Sequence, residues 1–264
     1  MWALLRQRLG KELDWLWLSF SLRYKMMATN IILTENAAFG NTNYDVVRAL
    51  IYMVDNNMME AIGQPYFSTK QCLVVPTEDV PMCVKAGGQH IIFLATKDNL
   101  WCQWVYQFSH EYCHHLIDGS LSGEWSDLLW FEETLCELSS LYNLNKMISY
   151  CANNGLQRYV PSVKSYLENL LTKNNDKYKL SAGGGWYKQY EASLKKEEYK
   201  RDLYNAIAVL MYPLFIDTPN LWKLILIIGD IRSWTSLDEL FNHLEINSDG
   251  SYSESLGKMR KMFG

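Results

Sequence analysis

The stretch from Asn99 to Ile117 limits the fold more than any other part of the chain. Trp101, Trp104, Val105, Phe108, Tyr112 and Leu116 recur at helical spacing as one apolar stripe, while Gln103, Gln107, His110 and His114 gather on the other side. A helix divided in this way anchors one side in a core and turns the other toward a cleft. His110 and His114 stand four residues apart, so both imidazoles can reach a single cation. Glu111 lies about 100° round the helix from His110, where it meets a water rather than the cation. The chain must then place a second element opposite these histidines. Trp130-Phe131-Glu132-Glu133-Thr134-Leu135-Cys136-Glu137 belongs to a second helical pattern, from Trp125 to about Ala152, that supplies a carboxylate there. Two histidines and one carboxylate leave a fourth zinc position open to water.

The remaining pattern predicts an α+β chain that is predominantly helical, with a small N-terminal sheet packed on a helical core. Ile31 to Leu33, Cys72 to Val75 and Ile91 to Leu94 read as strands. Between the first two, Val46, Val47, Leu50, Ile51, Val54, Met58 and Met59 space Tyr44 to Ile62 as a helix. After Asp98 further helices are expected over 160–171 and 194–215, with shorter ones to the C-terminus. Thr172 to Trp186, with Asn174-Asn175-Asp176 and Gly183-Gly184-Gly185, reads as a surface loop. The expected division is an N-terminal extension over 1–27 and one domain over 28–264, itself formed of a small α/β part over about 28–98 and a helical part over about 99–264.

A net charge of -4 provides no basic field for a phosphate backbone, which argues against nucleic acid as the partner. Lys195-Lys196 and Lys258 to Lys261 read as solvated helix faces. The six cysteines include no CxxC pair, so neither a zinc ribbon nor a thioredoxin-like site is written here, and reduced thiols in the cytoplasm are expected. Leu13 to Leu22 is apolar but too short to span a bilayer, and Asp14 interrupts it. An amphipathic helix packed on the domain or on a protein partner, or an extension upstream of a start at Met26 or Met27, is expected instead.

With His110-Glu111-Tyr112-Cys113-His114 followed after the eighteen residues 115 to 132 by Glu133 in a WxxE segment, the sequence resembles the gluzincin zinc metallopeptidases, particularly the aminopeptidase N type. The resemblance covers 107–140 directly, and the order of a small sheet before helices also fits a zincin-like domain. It implies zinc (Zn2+) held by His110, His114 and Glu133, with Glu111 as general base acting on a peptide or protein substrate. Glu137, one turn after Glu133, is placed to accept the second ring N–H of a ligand histidine. The family also carries a tyrosine at a later helix start that stabilises the oxyanion; Tyr204 resembles it, with Tyr199 and Tyr212 as competitors.

One departure matters. Where aminopeptidases carry a GxMEN signature, this chain has Ala86-Gly87-Gly88-Gln89-His90, without the acid that would hold a free amine, so endopeptidase activity fits at least as well. His90 reads as a strand histidine satisfied by a backbone partner, and His115 as structural. Gly88 to Ala95 is expected to form a cleft-edge strand that pairs with an extended peptide. The missing acid and the aromatic N-terminus also motivate a different reading, a catalytically silent protein that keeps the site for structure or for binding a partner.

Overall fold

The computed structural model describes residues 30–63, 71–86, 88–117, 126–196, 200–248 and 250–264. The expected N-terminal extension over 1–27 lies outside the described residues. Helix α1 (Tyr44–Ile62) forms where the apolar spacing predicted it, and its ends are specified locally. The side-chain oxygen of Asn43 accepts from the N–H groups of Asp45 and Val46 at 3.1 and 3.3 Å. At the other end Gly63 adopts φ 80°, and its N–H returns to the carbonyl of Met59 at 3.1 Å.

Four strands form a mixed sheet in the order β1-β2-β4-β3: β1 (Ile31–Leu33), β2 (Gln71–Pro76), β3 (Met82–Ala86) and β4 (Gln89–Leu94). β1, β2 and β4 run parallel; β3 turns back antiparallel to β4, with Cys83 opposite Ile92 and Lys85 opposite His90. This corrects one expectation. β4 is bonded on both sides and has no free edge for a peptide; among the described residues the edge on that side of the sheet belongs to β3, which periodicity did not reveal. Met82 and Val84 are both exposed, so β3 lacks the buried apolar run that marks an interior strand.

The helical part comprises α2 (Trp101–Leu116), α3 (Leu129–Asn153), α4 (Val160–Thr172), a short α5 (Asn175–Tyr178), α6 (Trp186–Leu194), α7 (Arg201–Asp217), α8 (Leu237–Asn247) and α9 (Ser253–Met262). The helix expected over 194–215 begins later, at Arg201, and α6, which ends at Leu194, was not expected. The loop expected over 172–186 contains the turn α5. Two 3-10 segments, Pro219–Leu226 and Ile228–Ser233, link α7 to α8. Among the described residues no helix is long and apolar enough to cross a membrane.

α3 is the central element: α2, α4 and α7 all pack against it. Such a helix is expected to be apolar all round, yet α3 buries Glu132, Glu137, Ser139, Ser140 and Asn143. The serines spend their hydroxyls on α2. Ser139 Oγ donates to the Ser109 carbonyl at 3.0 Å and Ser140 Oγ to the Tyr106 carbonyl at 2.7 Å. Small side chains let the two helices approach, and the bonds set where along α2 each turn of α3 falls. The start of α3 is held by an aromatic cluster at the C-terminus, where Phe263 lies 5.2 Å from Trp186, 5.7 Å from Phe241 and 6.1 Å from Trp130 between ring centroids. One hydrophobic core runs from Ile31 to Phe263.

Candidate metal centre

α2 brings His110 and His114 together one turn apart, with ring centroids 5.3 Å apart. α3 places Glu133 opposite both. Its Oε2 lies 3.4 Å from His110 Nε2 and its Oε1 lies 3.5 Å from His114 Nε2. For donors held at about 2.0–2.1 Å around a tetrahedral zinc, the donor-to-donor distance is about 3.3–3.4 Å. The three side chains expected from the sequence thus converge at a spacing close to the one a small cation would require.

The outer nitrogens are treated unequally. His114 Nδ1 meets Glu132 Oε1 at 2.7 Å, a charge-assisted hydrogen bond that turns Nε2 toward Glu133. His110 Nδ1 lies 3.6 Å from Glu137 Oε1, beyond hydrogen-bond range, and is buried with no hydrogen-bond partner among the described residues. Glu137 is instead clamped from its other side: Arg201 Nε donates to Oε1 at 2.9 Å, and the Tyr106 hydroxyl donates to Oε2 at 2.5 Å. The carboxylate expected to serve a ligand histidine therefore stands beside His110, oriented by an arginine from α7.

Four carboxyl groups, on Glu111, Glu132, Glu133 and Glu137, surround the two imidazoles, and Arg201 is the one cation among these contacts. Burial opposes charge on both histidines most strongly, yet the surrounding carboxylates outweigh it. His110 is raised above its ordinary range by the Glu133 contact and by Glu111, Glu137 and Glu133 together, and His114 is pushed up to about 10 by Glu133 and Glu132. Burial pushes the Glu111 carboxyl upward, against the pull of His110 and His114. The pocket gathers positive charge onto neutral ligands, which is the electrostatic requirement of a cation site.

Cys136 also belongs here and was not expected. One ligand atom from each of His110, His114 and Cys136 lies within 4.8 Å of the others, so this buried cluster can hold a metal ion. The Cys136 thiol is held well above its ordinary range by burial and then by its hydrogen bond with Cys113. Glu133 and Cys136 are thus competing third donors. The carboxylate is the better placed, since it stands within 3.5 Å of both Nε2 atoms and needs no deprotonation of a buried thiol.

Glu111 is 5% exposed, and after burial its charge is the strongest influence that pushes the Cys83 thiol of β3 up to about 12. Lys85 of the same strand donates from Nζ to the Ile117 carbonyl at the end of α2, fastening β3 beside the site. Tyr204 is 1% exposed within the core; Arg201, one turn earlier on α7, is the residue that reaches the Glu137 carboxylate. Tyr212 is half-buried and Tyr199 lies outside the described residues. His90 and His115 form a buried pair, Nδ1 to Nδ1 at 2.8 Å, and His115 stacks on Tyr112, whose hydroxyl donates to Asp55 at 2.5 Å.

The sequence reading missed Glu132, Arg201, Tyr106 and Cys136. Glu132 was legible as the neighbour of a candidate ligand on a buried helix. Arg201 was not, because 64 residues separate it from Glu137. No known protein family matches the chain, and its sequence finds no significant match among characterised proteins.

Proposed function

We propose that the chain is a zinc-dependent hydrolase acting on peptide bonds. The observation that carries the reading is the carboxylate of Glu133 set 3.4 and 3.5 Å from the Nε2 atoms of the two histidines, with Glu111 on the intervening turn. His110, His114 and Glu133 would hold the ion, which when bound acidifies a water and polarises a carbonyl. Glu111 receives the proton released at the attacking oxygen and passes it to the departing amine nitrogen. Its burial suits that task, since a carboxyl pushed upward is a stronger proton acceptor than an ordinary glutamate. Glu132 holds His114 in the orientation that presents Nε2, and Arg201 with Tyr106 holds Glu137 beside His110.

Among the described residues no strand pairs with the outer edge of β3, which supports a peptide over a compact metabolite. An extended chain paired there by backbone hydrogen bonds lies along the strand that Lys85 fastens to α2, next to Glu111. The segment around Gly88 and Gln89 contributes no carboxylate for an amino terminus, so internal peptide bonds are the favoured target. Tyr204 remains the candidate oxyanion donor by resemblance, although its burial requires a substrate to reach into the core. The six free thiols support a reducing, cytoplasmic setting.

One observation favours the rival reading. If Cys136 joins Glu133 and both histidines, four protein donors close the coordination sphere and the ion is structural. Purified protein with about one zinc per chain should cleave an unstructured protein substrate. Glu111→Gln should keep the zinc and lose about 10²–10⁴ in rate. Cys136→Ala should retain both metal and activity. Zinc without turnover in any peptide pool, together with zinc loss in Cys136→Ala, would establish the structural reading instead; absence of any bound metal would sink both.

A further inference from the structure

A second concavity lies away from the histidines. The first turns of α1 and α2, the last turns of α3, the 3-10 turn at Gln157–Tyr159 and α4 enclose a cavity of about 890 Å3. Val46, Leu50, Met147 and Val163 form apolar walls, and Trp101 and Tyr166 offer aromatic surfaces. The volume falls within the range of about 300–1,000 Å3 typical of sites for organic ligands. None of His110, Glu111, His114 or Glu133 lines it. Gln103, on its wall, precedes His110 by seven residues, about 10 Å along the helix.

The charge of the lining is one-sided. Among the described residues Arg158 is its sole charged lining residue, and no Asp or Glu lines the cavity. Elsewhere Arg48, Arg201 and Arg260 each pair with a carboxylate. Arg158 lies over the Tyr159 ring at 4.7 Å and donates one hydrogen bond to the Tyr159 hydroxyl at 2.8 Å; among the described residues it pairs with no acid. A guanidinium carries five N–H donors in a planar fork that suits a carboxylate.

We propose that this cavity binds an amphiphilic organic anion, a carboxylate whose apolar body fills the space between α1, α3 and α4 and whose charge rests on Arg158. A cationic ligand would meet Arg158 with no acid to offset it, and a fully apolar one would leave the guanidinium unused. The site is independent of the metal centre, so its test does not depend on hydrolytic activity.

The probe is 1-anilinonaphthalene-8-sulfonate, an aromatic body with one anionic group, titrated by fluorescence into the full-length protein. Competition is then measured with decanoate and with decyltrimethylammonium, which share a chain length but differ in the sign of the head. Saturable binding displaced by decanoate alone is expected. Arg158→Glu, at an exposed position, should weaken probe binding at least about tenfold without changing thermal unfolding. Ser162→Trp, at the mouth, should abolish it. Absence of saturable binding, equal displacement by the two amphiphiles, or unchanged affinity in Arg158→Glu would each overturn the proposal. The competitor pair needs no variant, so a folding failure of Ser162→Trp does not protect it.

Discussion

Under the proposed zinc reading, replacing Glu132 with glutamine isolates the part of the candidate metal centre that the ligands themselves do not supply. Glu132 is fully buried and touches His114 on the side away from Glu133, through a 2.7 Å contact to Nδ1. Glutamine can still accept that N–H, so the variant converts a charge-assisted hydrogen bond into a neutral one. Bonds to charged groups contribute about 1.5–3 kcal/mol and neutral ones about 0.5–1.5, a difference of about 1–1.5 kcal/mol or roughly tenfold in zinc affinity. Glu132→Ala also strands a buried Nδ1–H, and the loss should approach the upper end of the roughly 10–100-fold range seen when such outer partners are removed. Part of the loss is offset, because Glu132 also helps hold a proton on His114 in the metal-free protein, up to about 10. Removing it eases that competition at low pH and not at high pH, so the deficit should widen as pH rises. Zinc competition against a chromophoric chelator at several pH values measures this, with exposed Glu78→Gln as control. Equal affinities for wild type and both variants at every pH would show that Glu132 does not orient a metal ligand.

Three other outcomes follow from features outside the ligand set. Burial raises Asp55 above its ordinary range, the Tyr112 hydrogen bond opposing, so its folded-state pKa exceeds the unfolded one and it contributes stability that fades as pH climbs from about 4. Asp55→Asn should therefore gain stability relative to wild type between acid pH and neutrality in urea unfolding; a gap that narrows with rising pH would contradict the assignment. Phe263→Ala removes a ring that is 5% exposed among Trp130, Trp186 and Phe241, and should cost about 3–5 kcal/mol by denaturant unfolding, a value below about 1 showing that the C-terminus does not close the core. Lys85→Met unfastens β3 from the end of α2; peptide KM should rise with zinc content unchanged, and an unaltered KM would remove the edge strand from the substrate path.

What could be read from the sequence was what depends on neighbours within one element. The apolar spacing of α1 and the four-residue interval of the histidines are local, and each appears where expected. β3 escaped because an exposed edge strand has no buried face to mark it. The later start of α7 escaped because the lysines and glutamates that follow Leu194 are themselves helix formers, with no glycine or proline to mark a boundary. At the centre, Glu133 was readable from its interval to His114, whereas Arg201 and Tyr106 meet Glu137 from two other helices, a juxtaposition that no local pattern encodes. Cys136 looked like a core residue, and it is one; its proximity to both histidines follows from how closely α2 and α3 approach.

The Ser139 and Ser140 bonds to the carbonyls of α2 separate two things that the sequence presents as one. A one-residue slip of α3 would carry Glu133 about 1.5 Å along the axis and swing it about 100° round, out of reach of the imidazoles. Alignment is enforced downstream of Glu133, by the contacts of the helix pair itself. Bulky residues at 139 and 140 should therefore abolish zinc binding with every ligand still in place.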